Sequence, residues 1–146
     1  MSGLAEISVS VESSVSEDLS RNVIALLHEI TTLQEQFINT GEIGQIDLMT
    51  LPLTSGEQKA LDTVLGVGEV RCQLDAAGRS EINETLMPGV WRIRYFSVND
   101  DLVAELIEIS EVPEIIKAGM DELKDGMQAL KAQLTEIAQT INADGE

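Results

Sequence analysis

Residues 68–116 read GEVRCQLDAAGRSEINETLMPGVWRIRYFSVNDDLVAELIEISEVPEII, and from Gly68 the apolar period becomes two. Val70, Cys72 and Leu74 alternate with Glu69, Arg71, Gln73 and Asp75, the pattern of a half-buried strand. Asp75-Ala76-Ala77-Gly78 supplies turn chemistry. The polar run Ser80–Leu86 keeps only Ile82 and Leu86 as apolar anchors, which suits a sheet with one wet face. Pro88-Gly89 predicts a type II turn with glycine at the positive-φ position. Val90–Val98 is the strongest strand, with Trp91, Ile93 and Tyr95 on one face and Arg92 and Arg94 on the other. Asn99-Asp100-Asp101 turns the chain into Leu102–Ile109. There, branched residues and brevity outweigh a helical spacing of Leu102, Val103, Leu106 and Ile107. The expectation is a four-stranded antiparallel meander. On its solvated face Glu105 pairs with Arg92 or Arg94 across neighbouring strands.

Upstream the period is helical. Leu19, Val23, Leu26, Ile30, Leu33 and Phe37 recur at steps of four and three, and Ile24, Leu27 and Ile38 widen the stripe. Ser16 with Glu17 and Asp18 is the expected helix start, and Asn39-Thr40-Gly41 the expected end. The apolar connector 41–52 is expected to pack onto the body. Thr54-Ser55-Gly56-Glu57 has capping-box form and predicts a second helix with Ala60, Leu61, Val64 and Leu65 inward, ending at Gly66. Residues 1–15 alternate weakly among serines and glutamates and read as a tail or a short edge strand.

Downstream, Pro113 predicts a short helix through Lys117. Met120, Leu123, Met127, Leu130, Leu134, Ile137 and Ile141 then follow a heptad-like spacing, with Gly126 inside it at about 1 kcal/mol. This narrow stripe reads as a helix docked on its own domain, or as the seam of a homo-oligomer or partner helix. The fold class is therefore α+β: a four-stranded antiparallel meander packed against N-terminal helices, plus a C-terminal amphipathic helix. The expected divisions are a tail 1–15, an α+β domain 16–117 and a helix 118–146.

Of 146 residues, 26 are acidic and 9 basic, a formal charge of −17. Such a chain repels phosphate backbones and anionic membrane surfaces, which argues against nucleic acid and membrane as partners. One cysteine, Cys72, cannot form an internal disulfide and fits a reducing compartment. With no secretory signal pattern and no apolar run of ~20 residues, the expected location is cytoplasmic.

Catalysis or metal binding needs converging groups. The single histidine, His28, lies beside Glu29 at a helix flank, and Cys72 lies inward on a strand. Glu81, Glu84, Glu105 and Glu108 put carboxylates on the meander, where a close pair could serve acid–base chemistry or a hard cation. In so acidic a chain, solvated faces explain them more simply. The expectation is no catalytic, cofactor or metal site and no enzymatic activity. The alternatives are a metal-handling or carboxylate-based enzyme, and a structural oligomer. Glu81, Glu84, Trp91, Arg92 and Arg94 are the candidate partner-binding residues, since aromatics flanked by arginines often anchor interfaces.

The ordered set Leu26-Leu27-His28-Glu29-Ile30, Gly44-Gln45-Ile46-Asp47-Leu48, Leu51-Pro52-Leu53, Gly68-Glu69-Val70, Ser80-Glu81-Ile82-Asn83-Glu84-Thr85, Pro88-Gly89-Val90-Trp91, Glu105-Leu106-Ile107-Glu108 and Glu111-Val112-Pro113-Glu114-Ile115 resembles the C-terminal conserved region of the HupH-type hydrogenase expression/formation proteins. The resemblance covers roughly residues 19–117 and leaves the heptad-like tail outside. It implies an accessory or chaperone-like role in [NiFe] hydrogenase maturation. The implied partners are a hydrogenase subunit, the iron–sulfur small subunit first, or other maturation factors. It brings no catalytic residues.

Overall fold

The computed structural model describes residues 20–145. They fall into two compact units, dividing after Glu114. In the first, helix α1 (Arg21–Thr40) is capped by Ser20, whose hydroxyl accepts from the Val23 amide at 3.4 Å. The helix thus begins one turn later than expected; Ser16 and the 1–15 tail lie outside the described residues. Val23, Leu26 and Ile30 are buried, whereas Ile24 and Ile38 are exposed. Leu27, Leu33 and Phe37 pack half-buried against the same core, so the expected stripe is present without Ile24 and Ile38. Helix α2 (Ser55–Leu65) carries the expected capping box between Thr54 and Glu57 and buries Ala60, Leu61 and Leu65.

The sheet has five strands where four were expected. β1 (Gly44–Asp47), β2 (Arg71–Asp75), β3 (Arg79–Glu84), β4 (Val90–Phe96) and β5 (Leu102–Ile109) lie in the order β1-β5-β4-β3-β2, all antiparallel. The unexpected strand is β1, inside the apolar connector. It holds four residues, too few to show a period, and becomes a strand by pairing Gly44 with Ile109 and Ile46 with Ile107. A 3₁₀ turn (Leu48–Thr50) follows it.

Turn chemistry sets the meander's register. The Val90 amide donates to the Met87 carbonyl at 3.0 Å across Pro88-Gly89, with Gly89 at φ 82° as a type II turn requires. A register shift at Tyr95/Phe96 ends the regular β4–β5 pairing and leaves Phe96 beneath the Arg79 guanidinium, 4.3 Å from the ring centroid.

The helices cover the face of the sheet that the sequence reading left to solvent. Leu26, Ile30, Leu61 and Leu65 meet Ile46, Val90, Ile107 and Ile109 in one cluster. Val90 shares its face with Arg92 and Arg94, because side chains alternate along a strand. Trp91 and Ile93 occupy the opposite face, where Ile82, Ile93 and Leu106 stand in one cross-strand row. Ile82, Ile93 and Trp91 are also buried. The sheet is therefore apolar on both faces at its centre and not one-sided.

The second unit contains α3 (Met120–Asp144). Glu122 reaches back to accept from the Gly119 amide at 2.8 Å. All seven residues of its heptad-like stripe are 50–67% exposed.

Candidate functional site

Helix α1 makes its sheet contacts with β1 and β5, so the helix-side face of β3 and β2 is left beside the end of α2. The Leu86 amide donates to the Leu65 carbonyl at 2.8 Å, and the Gly68 amide to the Glu84 carbonyl at 2.8 Å. These bonds tie the last turn of α2 to the end of β3 and fix one wall. The result is a groove of about 600 Å³, lined among others by Asp62, Arg71, Gln73, Glu81, Asn83, Glu84, Arg92 and Arg94.

Arg92 organises its floor. It donates to Glu105 Oε1 through Nε at 3.1 Å and Nη2 at 2.7 Å, and through Nη1 to Asp62 on α2. Arg94 Nε donates to Glu105 Oε2 at 3.2 Å. The expected pairing of Glu105 with these arginines is present, and it involves both. Burial works against the Arg92 charge, but hydrogen bonds to Glu105 and then Asp62 outweigh it, so its pKa is raised. One fork thus fixes a helix, two strands and the groove's charge pattern.

Four of the five candidate partner-binding residues line this groove: Glu81, Arg92 and Arg94 from its floor, and Glu84 only at its end, since alternation puts its side chain on the Trp91 face. Trp91 does not. It is buried on the other face, where its Nε1 donates to the Ser110 carbonyl at 3.0 Å. Arg71, at the rim on edge strand β2, is exposed and was missed by sequence reading. Its signal was its place in the period of two, on the same face as Gln73.

The meander carboxylates do not converge. Glu81 and Glu105 flank Arg94 in one cross-strand row, whereas Glu84 and Glu108 flank Trp91 in another, on the opposite face. Glu108 is buried and accepts from Gln45 at 2.9 Å, Ser110 at 2.8 Å and the Glu114 amide at 3.2 Å. It latches β1 and the chain leaving β5 onto the sheet. Burial, and then the charge of Glu108, raise the Tyr95 pKa. His28 is exposed, Cys72 half-buried. Among the described residues no three His, Cys, Asp or Glu side chains group as metal ligands, and no helix is long and apolar enough to cross a membrane.

Residues 21–137 match the family model described as HupH hydrogenase expression protein, C-terminal conserved region. The match takes in most of α3, so the family's likeness extends past Lys117, where the sequence reading ended it. The hydrogenase expression/formation protein HupH of Rhodobacter capsulatus is 29% identical over 116 residues, covering 80% of this chain and 42% of that protein. The hydrogenase-1 operon protein HyaF of Escherichia coli is 29% identical over 96 residues, 66% of this chain and 32% of that one. The chain thus spans less than half the length of these relatives. The solved structure of hydrogenase expression protein HupH from Thiobacillus denitrificans superposes with a TM-score of 0.76 at 35% identity, covering 80% of this chain and 98% of that one. The chain belongs to the HupH hydrogenase expression protein family and carries its C-terminal conserved region.

Proposed function

We propose that this chain is a non-catalytic accessory protein of [NiFe] hydrogenase maturation, acting in the cytoplasm. It binds a hydrogenase subunit, the iron–sulfur small subunit before assembly, in the groove between α2 and β2–β3. The observation that carries this reading is the groove itself, in a family named for hydrogenase expression. Its floor is held rigid by the Arg92–Asp62–Glu105 network, while Arg71 stands at its rim with no ion pair among the described residues. Preorganised charges of both signs suit recognition of a polar segment, because little side-chain freedom is lost on binding. The separation of the meander carboxylates onto two faces supports a non-catalytic role.

Tagged protein, expressed in a hydrogenase-producing host under inducing conditions, should retain a hydrogenase subunit precursor. The Arg71→Glu variant inverts the free charge at the groove's rim and should weaken retention at least tenfold, about 1.4 kcal/mol. Retention of no hydrogenase subunit by the wild type would sink the proposal. Stoichiometric nickel or iron in protein purified without chelators would favour a metal-handling role instead.

A further inference from the structure

We propose that α3 is an interface between two copies of this chain, paired parallel and in register along its exposed stripe. This rests on α3 alone and is independent of the groove's function. The stripe residues occupy alternating a and d positions, starting with Met120 at a, and each is at least half exposed in the single chain. Seven such side chains at roughly 100 Å² each offer about 700 Å² per copy, near the ~800 Å² per partner of a standard stable interface.

Charge placement selects a second copy as the occupant. In a chain of net charge −17, self-association is opposed wherever carboxylates meet. Through its first three heptads α3 keeps its acids off the seam: Asp121, Glu122, Asp125 and Glu136 fall at b, c and f, and only Asp144, in the last turn, stands at d. The flanking e positions hold Lys124, Lys131 and Ala138, and the g positions Gly126, Gln133 and Thr140. Charges at e and g are what set partner choice in coiled coils. With uncharged g positions, no e–g′ pair of two parallel copies brings like charges together. Register selects the orientation. Parallel in-register pairing sets each stripe residue against its own copy, and the like charges it brings together, the two Asp144 carboxylates, lie in the last turn, where helix ends fray into water. An antiparallel arrangement with Leu130 against Leu134 instead sets Asp144 against Met120 and brings the two Lys131 ammonium groups together at the two-fold axis.

The full chain should sediment at twice its 15.8 kDa, and Leu130→Glu/Leu134→Glu should return it to the monomer mass. Both positions are exposed in the single chain, so the variant should keep its helical circular dichroism and Trp91 fluorescence. In a Cys72→Ser background, Met127→Cys should form an intermolecular disulfide on mild oxidation, because parallel in-register copies bring position 127 against itself, whereas the antiparallel arrangement sets it against Ile137. A monomeric wild type, a dimer that survives the double substitution, or failure of the Met127→Cys cross-link would each overturn the proposal.

Discussion

Arg92 ties α2 to the sheet through Asp62, and Glu57 ties α2 to the start of α1 through Ser20. The side chains of Arg92 and Glu105 are 13% and 12% exposed, so removing one leaves the other's charge stranded in a poorly solvated place. Arg92→Ala should cost about 3 kcal/mol in urea unfolding followed by Trp91 fluorescence. Arg92→Met/Glu105→Leu should recover most of that loss, since desolvation of the pair offsets much of its attraction. Glu57 accepts from the Ser20 hydroxyl at 2.9 Å, bridging the starts of α1 and α2. That bond, against a smaller opposing effect of desolvation, lowers its pKa below the ordinary 4.5. A depressed folded-state pKa contributes stability that is fully present above the unfolded value and lost as pH falls through the folded one. Chemical denaturation at pH 6 and at steps below 4.5 should therefore show a steeper acid loss in wild type than in Ser20→Ala. Equal slopes would remove Ser20 as the cause.

At the scale of elements, the joint between α2 and β3 sets the shape of the groove. Gly66 ends α2 at φ 64° and ψ −164°, a region nearly restricted to glycine. A Cβ there would also run into the Leu86 side chain. Gly66→Ala should destabilise the protein by roughly 1–3 kcal/mol. It should also weaken subunit retention, because the helix end carrying Asp62 would shift against Arg92. Unchanged denaturation midpoints would mean the joint relaxes without strain. The strands were legible where turn residues and a period of two coincide. Leu102–Ile109 has the expected limits, and β4 ends at Phe96, just short of the expected Val98. β1 was not legible, because four residues cannot carry a period and its partners lie 59 to 65 positions away.

For the whole molecule, the dominant electrostatic fact is self-repulsion among 26 acids balanced by only 9 bases. Raising ionic strength from 0.05 to 0.5 M shortens the Debye length from roughly 14 Å to about 4 Å. The melting temperature should rise by a few degrees as that repulsion is screened; a fall would mean that ion pairs such as Arg92–Glu105 outweigh it. The local patterns (capping box, hairpin turns, strand alternation, the α3 heptads) were settled by sequence alone, since each depends on residues within one or two turns of one another. The pairing of Glu105 with the arginines was legible for the same reason, once the hairpin's register was known. Only the tertiary structure decided which sheet face the helices cover. Alternation along β4 says that Trp91 and Arg92 point oppositely but not which side receives α1 and α2. That choice depends on Val90, Ile107 and Ile109 meeting helices from another part of the chain. It turned the supposed wet face into a groove floor.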